Sequence, residues 1–145
     1  MVKFTIQTNP KTKKNNMQPR MSKKKKFLGL SQSDRYQQYE KDCGYLIPRD
    51  VRIGITKRIN VAAVFYRKTR HKVDLSNLLS ALHDVMVKYG VIVDDDYKII
   101  AGADGSRVDF DKDNPRTEVT IMDMDAWEAV FQNAMREFEK GEVCK

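Results

Sequence analysis

The sequence has little of the residues on which zinc sites, disulfide scaffolds and membrane spans depend. Among its 145 residues it has two cysteines and two histidines. Cys43 and Cys144 stand far apart without metal-ligand partners at a useful spacing, so neither a zinc site nor a disulfide framework is predicted. No run of 18 apolar residues occurs, so no membrane span is predicted. The composition suits a reduced, cytoplasmic compartment.

Glycine is also scarce, and the seven glycines form no Gly-rich phosphate loop. The chain has no internal repeat, and its N-terminal residues lack the apolar segment of a secretory signal. A chain of this length corresponds to one domain that buries its own core.

Charge is distributed unevenly between the two halves of the chain. Residues 1–73 have 19 Lys and Arg against 4 Asp and Glu, whereas residues 74–145 have 8 against 16. Basic clusters attract a polyanion through counterion release, although a charged run alone is more often a solvated face or a disordered arm. One cluster directly precedes Asp74, which favours a polyphosphate substrate held beside carboxylates. The two clusters are Lys23, Lys24, Lys25 and Lys26, and Arg67, Lys68, Arg70, His71 and Lys72.

The segment from Asp74 to Asp96 predicts a helix and then a strand that returns toward the start of the helix. Apolar residues recur through 75–89 with helical spacing, and Gly90 suits a helix end in the left-handed region. Such a helix is about 24 Å long, and a strand returning from Gly90 regains about 20 Å by Asp96. This geometry predicts that Asp95 or Asp96 lies beside Asp74. Converging carboxylates repel one another, and Mg²⁺ commonly relieves the repulsion.

A structural explanation of the same carboxylates has at least as much weight, since motif matches are often accidental. Asp74 suits a helix N-cap whose side chain accepts hydrogen bonds from the free amides of the first turn. The acidic residues 94–96 equally suit a solvated turn. A further group, Asp109 with Asp111 and Asp113, lacks the Gly and Glu of a calcium loop, so we expect an exposed turn there.

The other elements follow from apolar periodicity and turn residues. Alternation predicts a first strand over 2–7, and the polar, basic residues 8–26 predict a long mobile loop. A helix is predicted from Ser31 or Ser33 to Pro48. Strands are also predicted over 59–66, 91–103 and 118–122. The continuous apolar run of the first of these is typical of a central strand covered on both faces.

A last helix is predicted to begin at Asp123 or Asp125, within a C-terminal extension over 123–145. One face of it collects apolar side chains; such a face is normally core, and a dimer contact is the alternative. These side chains are Trp127, Val130, Phe131, Ala134, Met135 and Phe138. Together the elements predict an α+β fold, in which a small mixed β-sheet is flanked by helices in a single domain over 1–145.

The stretch VDLSNLLSALHDVMVKYGVIVDDDYKII resembles the signature of the RusA-type Holliday junction resolvases, a family of small phage and prophage endonucleases. Their pattern has an Asp-x-Asp-Asn that opens a helix, a Lys one turn later, and a Gly and an Asp-Asp that lead into a strand. The segments TIQTNPKTKKNN, SQSDRYQQYEKDC and RKTRHK resemble the family's first strand and loop, first helix and basic run. Only the tail after Met122 has no clear counterpart.

The resemblance implies a homodimer of a phage or prophage, acting in the bacterial cytoplasm, that binds four-way DNA junctions and cuts opposed strands with Mg²⁺. By position, Asp74 is the first acidic residue and Asn77 the Asn beside it. The later Asp is Asp96 if the apolar pair 99–100 anchors the alignment, and Asp95 if Gly90 does. Asp74, Asp95 and Asp96 are then the expected metal ligands, and Asn77 orients a carboxylate or the phosphate. The two basic clusters bind backbone phosphates.

Two positions depart from the family's pattern. Ser76 stands at the second acidic position, and Ser80 stands at the Lys. Loss of one such group commonly lowers the rate by about 10²-fold or more. Asp94 adds a carboxylate and is a candidate replacement for the acidic residue missing at position 76. Lys98 is the nearest cation in the following predicted strand.

The sequence leaves three functions open. The first is a Mg²⁺-dependent endonuclease that resolves Holliday junctions in DNA recombination and repair. The second is a weakened or inactive branched-DNA-binding protein of the same fold, which Ser76 and Ser80 motivate. The third is a basic RNA-binding or protein-interaction domain whose acidic half contacts a partner.

Overall fold

The structure is a computed structural model of the chain, and it describes residues 1–13, 17–21 and 27–141. The strands of this part are β1 (Val2–Ile6), β2 (Met17–Met21), β3 (Phe27–Gln32), β4 (Ile59–Arg67), β5 (Ile100–Gly102), β6 (Arg107–Phe110) and β7 (Arg116–Asp123). The α-helices are α1 (Asp34–Leu46), α2 (Leu75–Lys88) and α3 (Met124–Glu139). None of these helices is both long and apolar enough to cross a membrane.

Strand β4 is the centre of a mixed, five-stranded sheet. On one side β7 pairs antiparallel with β4, and β1 pairs antiparallel with β7. On the other side β5 and then β6 pair in parallel with successive parts of β4. The strands β2 and β3 form a separate antiparallel hairpin. The predicted α+β class, with a small mixed sheet and helices in one domain, is confirmed.

The core lies between one face of the sheet and the helices α1 and α2. The strand register forms two buried rows across this face, which are Phe4, Val119 and Ala63, and Ile6, Thr117 and Phe65. The helices contribute their apolar stripes, including Tyr36, Tyr39 and Cys43 of α1 and Leu78, Leu82 and Val85 of α2. On the opposite face Ala62 and Val64 are only half-buried, which corrects the expectation that β4 is covered on both faces.

The single strand predicted over 91–103 is wrong. Gly90 has the expected left-handed backbone (φ 76°), and the chain then makes one parallel bridge, between Ile92 and Ile55. The chain turns before it reaches β5, because the amides of Ile99 and Ile100 donate to the carbonyl of Asp96. The apolar run at 91–93 is too short for periodicity to distinguish a bridge from a strand.

The loop predicted over 8–26 is also corrected. Residues 8–13 pack against the domain, with Pro10 and Thr12 buried and Lys13 Nζ paired with Asp84 at 2.6 Å. Residues 17–21 form β2, which Pro19 and the polar composition concealed, since proline in a sheet is confined to edge strands. Residues 14–16 and 22–26 lie outside the described part.

The prediction that the apolar face of α3 is core is wrong. Asp123 does cap this helix, with its carboxylate accepting from the amide of Asp125 (3.0 Å). Beyond Trp127, however, every residue of α3 is exposed. The exposed apolar side chains are Val130 (51%), Phe131 (49%), Met135 (40%) and Phe138 (55%).

Candidate active site

Asp74 stands where the loop after β4 turns into α2. Its backbone is extended (φ −91°, ψ 129°), and its carbonyl accepts from the amides of Asn77 and Leu78. Its carboxylate makes no capping hydrogen bond, which is contrary to the structural explanation of this residue. Instead the amide Nδ2 of Asn77 donates to Asp74 Oδ2 (3.3 Å). The exposed carboxylate is therefore oriented by Asn77 and keeps oxygen lone pairs for a ligand.

The triple carboxylate forms an exposed turn between the Ile92 bridge and β5. The amide of Asp95 donates to Asp94 Oδ1 (2.7 Å), and the amide of Lys98 donates to Asp96 Oδ1 (2.8 Å). These local bonds fix the turn but use only part of the acceptor capacity of each carboxylate. All three side chains face solvent.

His83, on α2, is close enough to Asp95 to feel its charge and was not singled out from the sequence. Burial lowers the pKa of His83, while the nearby carboxylates of Asp95 and Asp84 oppose the shift. Its Nε2 is buried and has no hydrogen-bond partner in the described part of the chain. Asp95 is thus within electrostatic reach of His83. Asp74, by contrast, immediately precedes α2, nine residues before His83 and about 13 Å away along the helix axis. No pattern in the sequence distinguished this histidine from a core residue.

The oxygen donors fit a magnesium ion chemically, because Mg²⁺ prefers carboxylates and is often held by one or two of them with waters and substrate phosphates. Within residues 1–13, 17–21 and 27–141, however, no three His, Cys, Asp or Glu side chains gather closely enough to hold a metal. The continuous strand that was to return Asp95 and Asp96 to Asp74 is not formed. Shared ligation by Asp74 and Asp95 or Asp96 therefore stays a prediction.

The third group of acidic residues, Asp109, Asp111 and Asp113, has a structural role. Asp111 Oδ2 accepts from Arg116 Nη1 (3.0 Å), and Asp111 Oδ1 accepts from the amide of Asn114 (3.1 Å). The guanidinium of Arg116 also lies over the ring of Tyr66, 3.8 Å from its centroid. The exposed turn expected around Asp113 is formed, and the carboxylate of Asp111 pairs with the cationic side chain of Arg116 in the same chain.

The basic run before Asp74 is held in place by neighbouring elements. Arg67 closes β4 and donates through Nη1 to the carbonyl of His71, and the amide of Lys68 donates to Asn9 Oδ1 (2.9 Å). The guanidinium of Arg70 lies over the ring of Phe110, 4.1 Å from its centroid. Arg67 is half-buried, while Lys68, Arg70 and Lys72 are exposed. The other predicted cluster, Lys23, Lys24, Lys25 and Lys26, lies outside the described residues.

Two further cations reach the same place from other elements and were not assigned a role from the sequence. Lys11, in the loop after β1, and Arg35, in the first turn of α1, line a pocket together with Arg67. The pocket has a volume of about 200 Å³, and Val73, the neighbour of Asp74, forms part of its wall. Sequence could not reveal this grouping, because it depends on how three separate elements pack.

The family model for RusA endodeoxyribonucleases matches residues 7–122 of the chain. The match spans β2 to β6 and nearly all of β7, and it includes Asp74, Asn77 and the triple carboxylate. No curated relative matches the chain. Since the matched region is most of the 145 residues, the chain belongs to the RusA endodeoxyribonuclease family, which implies the activity of a Holliday junction resolvase.

Proposed function

We propose that this protein is a Mg²⁺-dependent, structure-selective endodeoxyribonuclease that resolves four-way junctions during DNA recombination and repair, in a bacterial cytoplasm and as a phage or prophage product. One observation carries the proposal beyond family membership. The carboxylate of Asp74 does not cap its helix, is oriented by Asn77 and follows directly on a fixed basic loop. A carboxylate with free lone pairs beside cations supports the proposal, because it can hold a metal ion next to a bound phosphate.

The proposed roles of the chain's own residues follow from their chemistry. Asp74 and Asp95 or Asp96 would hold Mg²⁺, and Asn77 keeps one oxygen of Asp74 in a fixed direction. When bound, the ion lowers the pKa of a water nucleophile and stabilises the charge that develops on the phosphate. The basic residues neutralise neighbouring backbone phosphates, which gives affinity without base readout. These are Arg67, Lys68, Arg70 and Lys72, with Lys23, Lys24, Lys25 and Lys26.

The proposed assembly is a homodimer. A four-way junction presents two equivalent strands for cleavage, and a two-fold pair of chains presents two equivalent sites. Selection then depends on the shape of the branched substrate, because phosphate contacts carry no sequence information.

The decisive variant is Asp74→Asn. We expect this variant to bind a labelled four-way junction with wild-type affinity but to cut the junction at least about 10²-fold more slowly in Mg²⁺. The asparagine keeps the shape of the side chain but removes the negative charge of a metal ligand. Asp50→Asn, an exposed acidic residue of the turn after α1, is the matched control and should cut normally. Cleavage by Asp74→Asn at the parental rate would refute the site.

The alternative is a weakened or inactive branched-DNA-binding protein. The absence of any close group of three ligands in the described part of the chain favours it, together with Ser76 and Ser80. It predicts salt-sensitive junction binding without nicking at any Mg²⁺ or Mn²⁺ concentration. A gel with labelled four-way junction, linear duplex and flap, run with and without metal, separates the two functions, and paired nicks on the junction exclude the alternative.

A further inference from the structure

The pocket beside Asp74 is lined by cations and neutral groups only. Its wall consists of Asn9, Pro10, Lys11, Thr12, Arg35, Arg67 and Val73, so no carboxylate faces it. The neighbouring groove on the other side of Arg67 differs, because Asp109 lines it. A small cavity whose charged side chains are all cations is suited to an anion of phosphate size.

Arg67 supplies a second, independent indication of an anionic ligand. Burial lowers the pKa of its guanidinium, and no carboxylate contributes an opposing shift. Its Nε is buried without a hydrogen-bond partner among the described residues. A partly buried cation without a counter-charge is unfavourable, and an anion in the pocket would supply both the charge and the missing acceptor.

The wall of the pocket is held by contacts with neighbouring elements. Pro10 and Thr12 are buried, Asn9 accepts from the amide of Lys68, and Lys13 is paired with Asp84 on α2. The loop after β1 is thereby fixed to both β4 and α2. Positioned donors of this kind bind an anion without first having to be ordered.

We propose that Lys11, Arg35 and Arg67 bind one phosphate of the DNA backbone, adjoining the scissile position at Asp74. The inference rests on the proposed nuclease function and deepens it. It names a phosphate subsite built from the loop after β1, the first turn of α1 and the end of β4. Val73 links the subsite to the candidate active site, because it borders the pocket and precedes Asp74. A phosphate held there fixes the register of the strand relative to the carboxylate.

The first test uses the full chain without DNA. Inorganic phosphate is titrated at constant ionic strength while ¹⁵N NMR follows the Nε–H of Arg67 and the amide of Asn9. We expect chemical-shift changes that saturate with phosphate concentration. The dissociation constant should be at least about fivefold larger in Arg35→Gln. It should be unchanged in Arg49→Gln, because Arg49 is exposed and lies away from the pocket. Non-saturating shifts, or equal constants in the two variants, would overturn the subsite.

The second test uses the junction and separates the two proposals. Arg35→Gln should weaken junction binding about five- to tenfold near 0.1 M salt and reduce the slope of log K against log[salt] by about one, and Arg49→Gln should do neither. If phosphate binds in the pocket but no junction is cut, the nuclease function fails and the subsite stands. If junctions are cut and Arg35→Gln behaves like the control, the subsite alone is wrong.

Discussion

Gly44, in the last turn of α1, leaves no room for an added methyl group. A Cβ built there lies 2.5 Å from Cε1 and Cζ of the Tyr89 ring. The ring cannot move away easily, because its hydroxyl donates to the carbonyl of Glu40 (2.8 Å) and the Arg52 guanidinium lies over it (5.7 Å). Glycine is thus required here by close approach rather than by backbone angle.

We expect Gly44→Ala to lower the free energy of unfolding by about 1–3 kcal/mol, as overpacking usually does. Urea denaturation gives this number, and a double-mutant cycle supplies the control. In a Tyr89→Ala background the ring is gone, so Gly44→Ala should no longer destabilise the chain, and the higher helix propensity of alanine favours the variant by up to about 1 kcal/mol. Equal losses in both backgrounds would show that the Gly44–Tyr89 contact is not the cause.

His83 makes stability depend on pH in a defined direction. Burial lowers the pKa of the folded imidazole, so the unfolded chain binds a proton more readily. The contribution of neutral His83 to the free energy of unfolding is complete above about 6.5, the pKa of the imidazole in the unfolded chain. It is lost as the pH falls below that value. His83→Gln should therefore lose less stability between pH 7.5 and 5.5 than the parent in urea denaturation. An identical loss would mean that His83 is protonated equally in both states.

At the scale of elements, the first turn of α2 contains the departure from the family's pattern that we expect to affect the rate of DNA cleavage most. Ser76 is exposed two residues after Asp74, where the family's pattern has an acidic residue. We expect Ser76→Asp to accelerate junction cleavage by about 10–10²-fold in Mg²⁺, because it restores a carboxylate beside Asp74. Single-turnover rates measure this, and Ser80→Asp, one turn later, is the control that should not accelerate. A slower Ser76→Asp enzyme would show that this chain uses a different ligand set.

The same elements show what the sequence could predict. For α2, the apolar spacing, Asp74 and Gly90 all indicated the same helix, and the structure has it within one residue. For α3, the spacing indicated a helix with an apolar face but contained no information on what covers that face. The grouping of Lys11, Arg35 and Arg67 was inaccessible for a related reason, since it arises from packing of elements far apart in the chain.

At the scale of the whole molecule, the separation of charge matters more than the net charge of +7. In the proposed function, the basic first half, with the loop before Asp74, is the surface that binds a polyanion, and the acidic second half limits the area of contact. With between four and eight phosphate contacts from the two basic clusters, log K for junction binding should fall with log[salt] at a slope of roughly −4 to −7. Fluorescence anisotropy between 50 and 200 mM salt measures it, and a slope shallower than about −2 would exclude this mode of binding.

The pairing of β1 with β7 joins segments that lie far apart in the chain, since Val2 lies opposite Ile121 and Ile6 opposite Thr117. During synthesis β1 therefore has no partner in this pairing until the residues of β7 have left the ribosome. Contacts so distant in sequence form late and slowly. The basic residues between β1 and β4 are thus synthesised before the sheet can close.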